Sequence, residues 1–198
     1  MRKPLRLIIW YIFTFWVIYN AMHYDAAFVL DRDFMYEKLL NPRKLFLIIN
    51  ITFAVLLFIK KNLYQNPMVL TRAGDSLAFK IIKNGLLTSL AYTVLFFLSA
   101  VIITLASGAK IDISFLFDVF LLFFFTLYLY LLCYLIYSFC NKWSLANISV
   151  ILIHIFLSGI AISFGFGKTV FSNSFFYIAL SILCGGGLVF NVNNKDYL

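Results

Sequence analysis

Few residues in this chain are equipped for chemistry, and their spacing tests each of them. The stretch FGFGKT, residues 164–169, ends like a phosphate-binding loop, but that pattern needs Gly five residues before Gly167, where Ile162 stands. It also needs a strand before it and a soluble helix after it, whereas this stretch joins two oily runs. Asp118 is the one carboxylate inside an apolar run. Its readings are an interfacial residue capping the helix after Ser114, or a member of a substrate or proton path. His154 lies in VILIHIFL with only His23 as a second histidine, so no metal set or His-based triad can be assembled. A neutral imidazole bonded to a neighbouring helix is the plain reading, a proton relay the other. Cys133, Cys140 and Cys184 form no C-x-x-C pair and read as small packing residues. Asp25, Asp31, Asp33 and Glu37 are interrupted by Arg32 and Lys38 and miss calcium-loop spacing, which leaves a salt-bridged surface over residues 23–44. H-E-x-x-H, G-x-S-x-G and paired intramembrane glutamates are missing from the sequence, which disfavours an enzyme.

The elements around these residues are written for lipid. The chain has 198 residues, 64% hydrophobic and 12% charged, with mean hydropathy +0.97. An average soluble domain is about 45–50% apolar and about 25% charged. A soluble fold of this composition would expose large apolar patches, so an integral membrane protein is expected. Six weakly charged runs supply the spans, roughly 5–22, 45–59, 84–109, 113–141, 143–167 and 169–194. Each approaches or exceeds the roughly 20 residues that cross about 30 Å of hydrocarbon. The second is short, but Lys44 and Lys60 can carry their charges to the interfaces on apolar stems. The expected fold is therefore all-α, one polytopic domain of six transmembrane helices over residues 1–198. The first run carries Trp10 and Trp16 and no small-x-small cleavage site, and reads as a retained span rather than a signal peptide.

Six spans put both termini on one side. Placing them inside assigns ten of the 16 Lys and Arg residues to cytoplasmic segments, opposed there by Asp75 and Asp196 alone. Lys and Arg bias sets orientation, so the termini are expected in the cytoplasm. The basic balance thus reports topology rather than nucleic-acid binding.

The longest run not written for lipid, NPMVLTRAGDSLAFKIIKNG over residues 66–85, then falls on the cytoplasmic side. At 100° per residue, Leu70, Ala73, Leu77 and Ile81 share one helical face, and Arg72, Asp75, Ser76, Lys80 and Lys83 share the other. Pro67 suits a first turn, and Gly85 an end or a bend into the next span. An amphipathic cytoplasmic helix over 66–83 follows, either resting on anionic headgroups or docking a partner. In the fourth span Thr126, Tyr130, Cys133, Tyr134, Tyr137 and Asn141 fall in one arc. Hydroxyls facing lipid would lack partners, so the arc should face other helices. It serves either bundle packing or an aromatic path for an amphipathic peptide, with Asp118, Thr126, Tyr130, Tyr134 and Tyr137 as the path residues. CGGG at 184–187 permits close helix approach or a gating hinge.

NPMVLTRAGDSLAFKIIKNGLLTSLAY and the closing VFNVNNKDYL resemble small bacterial permeases of the ABC-2 type, in a cytoplasmic segment before the third span and a terminal acidic–basic ending. Val69, Leu70, Arg72, Gly74, Ser76 and Lys80, then Lys195 and Asp196, carry the resemblance. It implies a bacterial plasma-membrane exporter subunit that pairs with a second permease chain, the same or related, and borrows a separate ATP-binding cassette subunit. In that reading Arg72, Asp75, Ser76, Lys80 and Lys83 face the ATPase. The cargo is a peptide, bacteriocin or hydrophobic compound, and no cofactor is held on the chain. Two other classes remain: a stand-alone immunity or accessory membrane protein, and a substrate-binding subunit of a vitamin uptake system.

Overall fold

The computed structural model describes residues 3–23, 42–59, 76–106, 115–140, 142–163 and 174–194. These residues form six helices: α1 (Lys3–His23), α2 (Pro42–Ile59), α3 (Ser76–Ala106), α4 (Phe115–Cys140), α5 (Trp143–Ser163) and α6 (Ser174–Asn194). The described chain is all-helical. Three stretches are long and apolar enough to cross a membrane: Leu77–Ala106, Phe120–Cys140 and Phe175–Val192. Pro42 opens α2, where its missing N–H costs nothing and its fixed φ already suits a helix. The Lys142 carbonyl accepts the Ala146 amide at 3.0 Å and so starts α5 almost directly after α4 ends.

α3 differs from its sequence expectation. Gly85 does not end a helix: α3 is continuous over 31 residues, so the second half of the expected cytoplasmic segment is the first two turns of this long element. Its amphipathic pattern is nonetheless present. Leu77 and Ile81 are buried, while Lys80 and Lys83 are exposed. Residues 66–75, with Arg72 and Asp75, lie outside the described residues.

α4 is the hub. It packs against α3, α5 and α6 and touches α2. Of its apolar stretch 61% is buried, against 44% for α3 and 33% for α6, so those two present more of their surface outward. α3 displays Leu87, Leu90, Val94, Leu98, Ile102 and Leu105 on one outward stripe. That spacing of three and four residues is one face of a helix, and an apolar outer face of this length matches lipid better than water.

Seven hydroxyls on the inner faces are satisfied first within their own helices. Thr14, Thr52, Thr88, Thr93, Ser99, Thr104 and Thr126 each donate to the carbonyl four residues back, at 2.6–3.0 Å. Where water is scarce, this is how a helix can carry polar side chains without stranding their protons.

Side-chain pairs fix the sense of α2 to α6. Phe125 meets Tyr177, Ser181 reaches the Phe124 carbonyl, and Asn191 donates to Ser138, so α4 and α6 are parallel. Cys133 meets Asn147 while Tyr137 meets Trp143, so α5 is antiparallel to α4. Trp143 also reaches Leu57 near the end of α2, and Thr52 reaches Tyr92, so α2 runs against α3. Trp10 joins Thr52 and Tyr92. The Ser99 hydroxyl also reaches Tyr11, which ties α1 to α3 a second time. One end of the bundle thus collects the starts of α3 and α5 and the ends of α2, α4 and α6.

Candidate functional site

Two sets of residues organise that end of the bundle. The first lies deeper and joins α1, α2 and α3. The Trp10 indole N–H donates to the Thr52 carbonyl at 2.8 Å. Thr52 Oγ1 is 2.7 Å from the Ile48 carbonyl and 2.6 Å from the Tyr92 hydroxyl. A threonine has one hydroxyl proton, and the carbonyl can only accept it. Tyr92 is therefore the donor to Thr52. Phe53 packs edge-on against Tyr92 with ring centroids 5.1 Å apart, and Phe96 lies at 6.0 Å from the same ring.

The second set lies nearer the end and joins α4, α5 and α2. Tyr130 and Tyr134 stack with centroids 4.8 Å apart, and Trp143 lies at 4.8 Å from Tyr134 and 5.5 Å from Tyr137. The Trp143 indole donates to the Leu57 carbonyl at 3.2 Å. Tyr130 is wholly buried against Gly85, and no side chain larger than hydrogen fits at that point of α3. Below it, the Cys133 thiol is 3.3 Å from Asn147 Oδ1, and the Asn147 amide donates to the Trp143 carbonyl at 3.2 Å.

Four charged residues have described side chains: Arg6, Lys80, Lys83 and Lys142. All four are exposed cations, and Lys80, Lys83 and Lys142 stand at this end. The lysines also differ in depth. Lys83 stands two residues from Gly85, whereas Lys80 is about 4.5 Å further out at about 1.5 Å per residue.

The sequence-assigned residues divide accordingly. Lys80 and Lys83 are exposed, Ser76 opens α3, and Arg72 and Asp75 are outside the described residues. Thr126, Tyr130 and Tyr134 face inward as their arc required, and Tyr137 is half-buried. Thr126 donates within its own helix, and the Tyr130, Tyr134 and Trp143 rings fill the seam. Asp118 is in the first turn of α4 and His154 is in α5, with neither side chain described; Asn141, residues 24–41, 164–173 and 195–198 are outside the described residues. Of the cysteines, Cys133 and Cys184 are buried, but Cys140 is exposed on the last turn of α4 and is not a packing residue.

The glycines are the clearest correction. A Cβ at Gly185 or Gly187 would meet leucine side chains of α4 no closer than 3.6 Å, and one at Gly186 would meet nothing within 4 Å. Close helix approach within this chain therefore does not require the glycine triplet. It is required at Gly85, read from the sequence as a helix end or a bend into the next span. The Trp10–Thr52–Tyr92 junction went unread as well; its one signal was a threonine, a tyrosine and a tryptophan placed in apolar runs where each polar atom needs a partner.

Among residues with described positions, no group of three His, Cys, Asp or Glu converges on a metal-sized site. The chain matches no protein-family model, no curated protein and no solved structure. The likeness to ABC-2 permeases rests on the residues quoted for it.

Proposed function

We propose that this chain is a six-span subunit of the bacterial plasma membrane, with both termini cytoplasmic, and that it acts as the permease part of an ATP-driven exporter. A second permease chain and a separate ATP-binding cassette subunit complete it, and a peptide, bacteriocin or hydrophobic compound is its cargo. One observation carries this reading: α3 is too long for the membrane it would cross. At 31 residues it extends about 46 Å, against roughly 30 Å of hydrocarbon. If Gly85–Ala106 spans the bilayer, Ser76–Asn84 stands clear of the hydrocarbon as a rigid extension of a transmembrane helix.

That extension carries Phe79, 75% exposed, next to exposed Lys80. An aromatic knob beside a cation is a common anchor for a protein partner. A partner that grips it and changes shape on hydrolysis would move α3 directly, and through Gly85 and Tyr130 would move α4, the helix that touches most of the others. Arg72, Asp75, Ser76 and Lys80 supply the polar contacts, with Lys83 at the membrane boundary.

The test is affinity purification in mild detergent, with identification of partners and assay of nucleotide hydrolysis. The expected result is a nucleotide-hydrolysing cassette protein that co-purifies with the natural chain and is lost from Arg72→Glu/Lys80→Glu, while membrane insertion is unchanged. Equal recovery of that protein with the charge-reversed chain, or absence of any hydrolysing partner, removes the docking role.

A further inference from the structure

Most polar side chains in these apolar helices are committed to a bond, and two that are not lie on one seam. Asn20 and Asn147 donate to the carbonyl four residues back, and Asn191 donates to Ser138. Asn50 of α2 is only 9% exposed, yet no described residue bonds its carboxamide. Ser149 of α5 is half-buried and has no described partner either. A buried amide left unbonded in hydrocarbon is costly, so its presence points to a partner from outside the described chain.

The seam between α2 and α5 is fixed by the Trp143 indole on the Leu57 carbonyl, from which the two helices run antiparallel. Asn50 is seven residues from Leu57 and Ser149 six from Trp143, so both are about 9–10 Å along the seam at about 1.5 Å per residue. A spacing of seven puts Asn50 and Leu57 on the same face of α2. α5 packs against α4 and α2. Its Asn147 meets Cys133 of α4, and the buried Ala146 and Val150 lie round toward α2, with Ser149 about 60° beyond Ala146 at the outer edge. Ile51 and Ile153, 43% and 38% exposed, form the lipid-facing margins.

We propose that Asn50 and Ser149 form a binding site in the membrane interior for an uncharged, amide-bearing apolar molecule that enters from lipid between α2 and α5. The carboxamide offers one acceptor and two donors, and the hydroxyl one donor and two lone pairs. Both groups are neutral, and the described side chains around them carry no charge, so a charged ligand would lose its hydration without compensation. A second transmembrane helix has already bonded its own backbone, whereas an extended molecule brings free amides. This deepens the exporter reading and rests on it only in taking the bound molecule to be the cargo. Binding itself needs no ATPase.

The test uses the purified full chain in phosphatidylcholine nanodiscs, without an ATPase, and N-dodecanoyl-leucinamide with a diazirine in the leucine side chain as the probe. Light-induced attachment is mapped by mass spectrometry. Saturable labelling is expected around Asn50 and Ser149, about fivefold weaker in Asn50→Leu, the loss of one neutral hydrogen bond. N-dodecanoyl-leucine, which ends in a carboxylate, should compete poorly. Without probe, Asn50→Leu should unfold at a higher temperature, because an unbonded buried amide is replaced by an apolar group. Labelling that misses the seam, or that Asn50→Leu leaves unchanged, overturns the proposal, as does equal competition by the carboxylate. A lower unfolding midpoint for Asn50→Leu would give the amide a partner within the chain, and labelling that falls as the chain is crowded would give the seam to a second copy; either overturns it. Failure here leaves the ATPase co-purification test standing, and failure of that test leaves this one.

Discussion

Gly85 and Tyr130 fit each other as a notch fits a ring. A methyl group at Gly85 would stand 2.8 Å from Cδ1 and 3.1 Å from Cε1 of Tyr130, closer than side chains tolerate. The ring cannot retreat easily, because Tyr130 is wholly buried and Tyr134 stacks behind it at 4.8 Å. The contact ties the longest helix to the most buried one, toward the end where Lys80, Lys83 and Lys142 stand.

Gly85→Ala should therefore destabilise the protein although alanine is the better helix former. The overpacking cost of about 1–3 kcal/mol outweighs the up to 1 kcal/mol gained in helix propensity. Thermal unfolding in detergent should show a lower midpoint for Gly85→Ala, and a midpoint restored toward the parent when Tyr130→Leu is added. Simple additivity of the two losses would mean that the ring is not what the methyl meets.

Gly186→Ala should do the reverse. It adds a methyl where nothing lies within 4 Å and removes a glycine from a helix interior, so stability should rise by about 0.5–1 kcal/mol. A fall in the unfolding midpoint would show that something outside this chain, or a motion of α6, needs that glycine.

Thr52 and Tyr92 should respond unequally. Thr52→Val leaves a buried tyrosine hydroxyl with its acceptor gone, at about 1–3 kcal/mol. Tyr92→Phe leaves Thr52 still bonded to the Ile48 carbonyl, so its cost should be smaller. The double variant should unfold close to Tyr92→Phe alone. Equal single losses would mean that the proton runs the other way, from Thr52 to Tyr92.

Cys140 should be the reactive thiol. It is exposed at the end of α4, whereas Cys133 and Cys184 are buried. A charged maleimide should label the native chain in inside-out vesicles and not in intact cells, and Cys140→Ser should abolish that labelling. Labelling of intact cells would place the basic end outside and reverse the proposed topology.

Much of the fold was legible because lipid imposes simple rules on sequence. Apolar runs of membrane length marked the helices, and the buried face of the first turns of α3 followed from Leu77 and Ile81 falling 100° per residue around one axis. The inward arc of Thr126, Tyr130, Cys133 and Tyr134 followed from the cost of hydroxyls in hydrocarbon. Glycine was misread for an equally physical reason. Seen along one chain, Gly85 looks like a helix end or a bend, and Gly185–Gly187 like a packing groove or a hinge. Only the neighbouring helix decides whether a missing Cβ is used, and α4 uses it at Gly85 alone.

Composition and periodicity by themselves determined that this chain is helical and oily, roughly where its apolar segments lie, and that Lys80 and Lys83 share a face turned away from the core. Those are properties of single segments, set by the period of the helix and by the solvent each segment must suit. The tertiary structure decided which helix is central, that Tyr92 gives its proton to Thr52, and that α3 is one unbroken helix. Pairing between distant segments depends on shape and on which polar atom finds which, and no single segment carries that information.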